Sequence, residues 1–265
     1  TAARPDVSIA DLMLPPTAAQ LFDTEPDVDW TVRILGPLEI VHRDGTHLNG
    51  PKVRELATLL AMHPCGVPST ELKRMLGKTE ESGMSTRISE LRKLLGHGDT
   101  VAGRTHLPAN RSARGYYLEG VRVDSIRLAR CLDQARQSDG QDKVNWLVGA
   151  LELVRGQIGI GELTSFKWAG HLMTTLEASI VEAGVELAGL AAEQDNWTIV
   201  DWAANQVRLA NPYEQRVIPL QIDARRALGD EVGIRRLHDE ALDDVDEFEP
   251  DVQAAFHTAL ARQAR

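Results

Sequence analysis

At 265 residues, 43% hydrophobic and 26% charged, the chain has the composition of a soluble globular protein with room for two separate cores. No apolar run approaches the roughly 18 residues of a membrane span, since the stretch from Leu56 to Met62 is cut off by His63 and Pro64, and no charged segment followed by an apolar one opens the chain, so neither a spanning helix nor a secretory signal is expected. The net charge of -10 argues against nucleic acid only as an average: Lys plus Arg against Asp plus Glu is 1 against 6 over Thr1 to Asp29, 14 against 10 over Trp30 to Asp124, and 14 against 23 over Ser125 to Arg265, so the middle block alone is basic.

Residues 1 to 29 hold five Asp and four Pro around the apolar patch Ile9 to Leu14, the composition of a solvated linker or arm. A start at Thr1 rather than Met is expected of a processed chain or a fragment. From Trp30 the pattern alternates: Val32 and Ile34, then Leu38 and Ile40 across Gly36-Pro37, with a hairpin turn signal at Arg43-Asp44-Gly45-Thr46. A small antiparallel sheet is expected. Pro51 then opens a helix with Val53, Leu56, Leu59, Leu60 and Met62 at helical spacing, ending near His63-Pro64. Cys65-Gly66 is a turn, and Pro68-Ser69 precedes a short second helix, Glu71 to Leu76, closed by Gly77. Cys65 and Cys131 make no disulfide framework, and a reducing cytoplasm suits them.

The third helix, predicted over Glu80 to Gly96, organises the rest. Met84, Ile88, Leu91 and Leu95 recur at four, three and four, which puts them within roughly 60° on a helical wheel. Opposite this stripe lie Ser82, Thr86, Ser89 and Lys93, flanked by Ser85 and Arg92 on one side and by Arg87 and Glu90 on the other. Short hydroxyl side chains let a helix axis approach another surface closely, and neighbouring cations suit a phosphate lattice. An ordinary amphipathic surface helix would carry the same stripe; the surroundings favour a DNA recognition helix. After Gly96 come Val101, a loop carrying Arg104, Arg111 and Arg114, and Gly115-Tyr116-Tyr117-Leu118, alternating like two arms of a hairpin. Sheet, three helices and a basic hairpin make the layout of a winged helix-turn-helix, in which the third helix enters the major groove and the wing holds the backbone or minor groove.

From Ser125 the chain reads as helical: Ile126 to Gln134, Val144 to Val154, a glycine-containing loop from Gly156 to Gly161, and a long helix from Trp168 to Glu193. The turns at Glu193 to Trp197 and Leu228 to Val232 lie about 35 residues apart, each followed by a helix and a second turn, at Asn211-Pro212 and Asp246 to Pro250. A period near 34 with Ala203, Ala204 and Ala241 inside the helices is that of tetratricopeptide-like hairpins, which bind partners and carry no chemistry. Trp146, Trp168, Trp197 and Trp202 are expected in the core.

No enzyme is read here. His42 and His47 lack the Cys or acidic partners of a metal site, Gly156, Gly159 and Gly161 match neither nucleotide-binding spacing, and no Ser, His and carboxylate set or G-x-S-x-G occurs. No metal, cofactor or catalytic residue is expected.

LGPLEIVHRDGTHLNGPKVRELATLLAMHP, VPSTELKRMLG, STRISELRKLLG and RGYYLEGVRVD, in that order, resemble the DNA-binding domain of the Streptomyces antibiotic regulatory proteins, a relative of the OmpR-type winged helices. ALELVRGQIG, Trp168, Leu176-Glu177 and RLANPYEQRV resemble, more loosely, the bacterial transcriptional activation domain of that family. The resemblance spans Val32 to about Ala261. With residues 1 to 29 read from composition as an arm, it implies a winged helix over 30 to 124 and a tetratricopeptide-like helical domain over 125 to 265. It further implies a cytoplasmic activator that binds promoter repeats on double-stranded DNA, often as a homodimer, and contacts RNA polymerase. By position, Ser85, Thr86, Arg87, Ser89, Arg92 and Lys93 would face the major groove, and Lys52, Arg54, Arg104, Arg111 and Arg114 would hold phosphates. The alternative is a protein-interaction module of a larger chain whose winged helix no longer reads DNA.

Overall fold

The computed structural model describes residues 28–77, 81–96, 105–108 and 114–263. Residues 1–27 of the expected arm, Val101, Arg104 and Arg111 lie outside the described residues, as do the side chains of Glu81 and Ser82. The fold is mainly helical with one small sheet, and it clusters into two compact units whose sequences interleave. One unit takes the chain as far as Arg127 and adds Ile158–Leu176; the other comprises Leu128–Gln157 and the segment from Glu177 onward. Among the described residues no helix is long and apolar enough to cross a membrane.

In the first unit β1 (Trp30–Arg33) is the middle strand, with β2 (Glu39–His42) antiparallel on one side, in the register Val32↔Ile40. The predicted turn closes the far end, where His42 N donates to Thr46 O and Gly45 N to His42 O. On the other side lies β3 (Val121–Val123), parallel to β1 in the register Val32↔Val123, a pairing the alternation around Trp30 gave no reason to expect. Three helices follow the hairpin: α1 (Pro51–Ala61), α2 (Ser69–Met75) and α3 (Glu81–Leu95). Pro51 sits at the first turn of α1, where its missing N–H costs nothing. Helix α2 starts two residues before the expected Glu71, with Pro68 at the cap position, so Ser69 and Thr70 lie inside it and no side chain caps it.

Val32, Ile34, Ile40 and Val123 from the sheet, Val53, Leu56 and Leu60 from α1, Leu72 from α2, and Met84, Ile88, Leu91 and Leu95 from α3 are all buried. Each such side chain taken fully out of water stabilises the fold by about 1.5 to 3 kcal/mol before chain entropy is counted. Two polar anchors fix this core. The buried Trp30 indole N–H donates to Leu95 O at 3.1 Å, satisfying one of the orphan carbonyls at the end of α3. The buried Asp124 carboxylate, at the start of α4 (Asp124–Gln137), accepts from Ile34 N and Leu35 N at 2.9 and 3.0 Å, which ends β1 and aims the chain out of the sheet.

The second unit contains α5 (Gly140–Leu151), most of α6 (Gly170–Ala192), α7 (Trp197–Ala210), α8 (Ile218–Ala227), α9 (Glu231–Asp244) and α10 (Pro250–Gln263). Helix α6 begins at Gly170, after Trp168, because a short 3-10 turn (Gly161–Ser165) and a bend intervene. Helices α7 and α9 each have 14 residues and start 34 positions apart. Their caps repeat: the Asn196 side chain accepts from Ile199 N and the Asp230 side chain from Gly233 N, both with φ near -88 and ψ near 70. Ile218, Ile222, Ile234, Leu237, Val252 and Phe256 form the core of the later hairpin, while Val181, Ala204, Val207 and Val217 join α6 to the earlier one. Trp146, Trp168, Trp197 and Trp202 are only half-buried, a correction to the expectation that they fill the core; Ala, Val and Ile do, since close helix packing favours small and branched side chains.

Candidate nucleic-acid interface

Helix α3 has the two faces its sequence predicts. Met84, Ile88, Leu91 and Leu95 are buried, while Ser85, Thr86, Ser89, Glu90, Lys93 and Leu94 are exposed. Placement of the cations departs from the expectation. Arg87 is only 8% exposed and sits on the core side, its Nη1 at 3.9 Å from Glu55 of α1 and without a hydrogen bond. Its Cα is three residues from Met84 and four from Leu91, so the helix turns it toward α1 and not toward solvent. Arg92, half-buried, donates from Nε to Leu107 O at 3.0 Å and from Nη2 to Pro108 O at 3.4 Å, pinning the segment that leads into the expected wing.

Of the cations assigned to phosphate, Lys52 is exposed at the start of α1 and has no ion pair among the described residues. Arg54 is committed inside the unit: Nε donates to Glu162 at 2.7 Å, Nη1 to Leu48 O at 3.0 Å and Nη2 to Leu38 O at 2.8 Å. That fork joins the sheet loops, α1 and the returning Ile158–Leu176 segment, and commits three of the five guanidinium donors of a largely buried side chain within the unit. Arg114 is exposed but also engaged, donating to Cys65 O and Pro64 O at 3.3 Å each, with its guanidinium 4.7 Å from the Tyr117 ring centre.

The base of the expected wing is tightly built. Val67, between α1 and α2, pairs with Tyr116 through Val67 N to Tyr116 O at 2.7 Å and Tyr116 N to Val67 O at 2.8 Å. A side chain at Gly66 would meet Arg114 O, and one at Gly115 would meet Val67 O; both glycines have φ above +75. The two backbones therefore approach as closely as glycine permits. Buried His106 ties the same region to the residues just before β3 and β1, with Nδ1 2.9 Å from Glu119 O and Nε2 3.2 Å from Asp29. Asp124, His106 and Glu162 were not singled out from the sequence, because a polar residue that anchors the backbone looks the same there as one that faces water. Among the described residues no group of three or more His, Cys, Asp or Glu could hold a metal ion.

No protein-family model matches the chain, and no curated protein sequence matches it. Its structure is similar to that of Mycobacterium tuberculosis EmbR in complex with a low affinity phosphopeptide, with a TM-score of 0.53 at 22% identity, over 90% of this chain and 66% of that one. The likeness is one of fold: a winged helix followed by a helical domain. The chain spans just under two thirds of that protein's length.

Proposed function

We propose that the first unit is a winged helix-turn-helix that binds double-stranded DNA, and that the chain is a transcriptional regulator of the type of the Streptomyces antibiotic regulatory proteins. The observation that carries the reading is the exposed face of α3. Ser85, Thr86, Ser89 and Lys93 are small or cationic, sit opposite four buried apolar residues, and belong to the third helix of a unit in which Tyr116, at the base of the expected wing, pairs with Val67 between α1 and α2. Small hydroxyl residues let the helix axis enter a major groove, and Lys93 with Lys52 supplies phosphate contacts. The helical unit, with its 34-residue offset between α7 and α9, acts as a tetratricopeptide-like module that pairs subunits and touches RNA polymerase in the cytoplasm.

The test is selection of random duplexes by the whole chain, followed by titration against salt. The expected result is one enriched motif, with log affinity falling linearly in log salt and a slope shallower by about 1 in Lys93→Ala. A folded chain that enriches nothing at low salt would overturn the reading. A protein-interaction role for the winged helix is favoured by one observation: Arg54, Arg87, Arg92 and Arg114 are all engaged within the unit, which leaves few free cations near α3 among the described residues. That reading expects no enriched motif and no salt-dependent duplex binding.

A further inference from the structure

The exposed face of α3 divides into two rows at i, i+4 spacing. Ser85, Ser89 and Lys93 form one; Thr86, Glu90 and Leu94 form the other. Within each row neighbouring residues stand about 6 Å apart along the axis, close to two base-pair steps. Lys93 marks the first row as the one that meets phosphate. The second row has a carboxylate at its centre and, one turn on, a leucine 45% exposed. Glu90 is exposed, and its carboxylate makes no hydrogen bond or ion pair with any described residue, although Lys93 is one helical turn away. An unpaired carboxylate in the middle of a groove-facing helix repels phosphate, so its position has to be answered by a donor on the DNA.

Resting on the DNA-binding reading above, we propose that Glu90 is a specificity-determining residue that selects a C·G pair by accepting a hydrogen bond from the cytosine amino group, with Leu94 packing on a thymine methyl beside it. The major-groove edges decide this. Guanine presents N7 and O6 and thymine presents O4, all acceptors, which repel a carboxylate. Adenine offers its N6 amino group but sets the N7 acceptor beside it, so the second carboxylate oxygen is opposed. Cytosine's own edge presents the N4 donor beside an apolar C5–H, with the guanine O6 acceptor on the other side only, and is the base that best satisfies Glu90. Thymine is the base with an apolar group at the groove surface, which matches an exposed leucine. Glu90 also acts against wrong sequences: a site without the donor leaves its charge desolvated and unpaired.

The experiment repeats random-duplex selection with the whole chain and with Glu90→Ala and Glu90→Gln, then measures affinity for the selected duplex with each base pair changed in turn. The expected result is a C·G pair in the wild-type motif whose replacement weakens binding by about 5- to 150-fold, a preference that drops to within about twofold in Glu90→Ala. Glu90→Gln moves the preference at that one position to adenine, since an amide donates to N7 and accepts from N6. A merely structural role would not produce that base-specific switch. If wild type and Glu90→Ala enrich the same motif with the same preference at every position, the Glu90 assignment is overturned while DNA reading stands. If the folded wild type enriches no motif, DNA reading itself fails, and the assignment falls with it.

Discussion

Two cations near the start of α1, two residues apart, separate binding from folding. Lys52 is exposed, whereas Arg54 gives three donors to Leu38 O, Leu48 O and Glu162, with its side chain 16% exposed and that of Glu162 26%. Removing Arg54 leaves two carbonyls and a partly buried carboxylate short of partners. Arg54→Ala is therefore expected to lower unfolding free energy by about 2 to 4 kcal/mol in urea melts, against less than about 0.5 kcal/mol for Lys52→Ala. If the proposed DNA binding holds, the order reverses on duplex DNA at conditions where both variants are folded, with Lys52→Ala flattening the salt slope. Equal stability of the two variants would show that the Arg54 fork contributes nothing. Asp44, in the hairpin turn, gives a second residue-scale expectation. The Thr46 backbone N–H at 2.8 Å, then the His42 ring and the Thr46 side chain, hold its carboxyl below the ordinary aspartate value of 3.8, at about 2. Because the folded value is the lower one, the turn's contribution is complete above the unfolded value and fades as pH falls toward 2. A carboxyl-detected NMR titration in which Asp44 moves with an ordinary midpoint near 3.8 would contradict this.

At the scale of elements, close backbone approach sets the sharpest constraints. A side chain added at Gly184, inside α6, would run into the Val207 Cγ2 atom of α7; Val207 is fully buried and β-branched and has no free rotamer to yield. Gly184→Ala gains helix propensity of about 1 kcal/mol but overpacks the contact, and a net loss of about 1 to 3 kcal/mol is expected in thermal melts. The paired variant Gly184→Ala with Val207→Ala should recover part of it, and failure to do so would place the strain elsewhere. Gly115→Ala differs in kind, since its obstruction is the Val67 carbonyl and its φ is +78, so no side-chain trimming relieves it. Such features also mark where the sequence stops being readable. The α3 stripe and the 34-residue offset of α7 and α9 are periodic and local, so residues a few positions apart announce them. Strand β3 is three residues long and its partner Val32 lies about 90 positions away; nothing local to Val-Arg-Val chooses a parallel neighbour. The arginines were the least legible of all. A guanidinium that clamps carbonyls, as Arg92 and Arg114 do, has the same neighbours in sequence as one that binds phosphate.

At the scale of the molecule, the chain leaves the first unit after Arg127, returns at Ile158 and leaves again after Leu176. The returning segment is not a passive loop. Ile158, Leu163, Phe166 and Ala169 are buried, and Glu162 completes the Arg54 fork. Burial of three large apolar side chains contributes about 1.5 to 3 kcal/mol each before entropy, a sum comparable with the 5 to 15 kcal/mol by which whole domains are stable. A fragment ending at Arg127 would contain the sheet, α1 to α3 and the residues of the expected wing, everything a cut at the end of the winged-helix sequence pattern preserves. It is nonetheless expected to unfold several kcal/mol more easily than the same residues in the whole chain. Supplying the segment around residues 158–176 through a short linker should restore much of the loss, and adding Glu162→Ala to that fusion should take back the share due to the fork. The measurement is urea unfolding followed by Trp30 fluorescence, the other tryptophans being replaced by Phe, because Trp30 lies in the sheet and donates to the end of α3 and so reports on the packing of both. If the fragment ending at Arg127 unfolds with the same midpoint and slope as the whole chain, the returning segment carries no stability. The physical boundary of the first unit then falls where the alternating and helical sequence patterns meet.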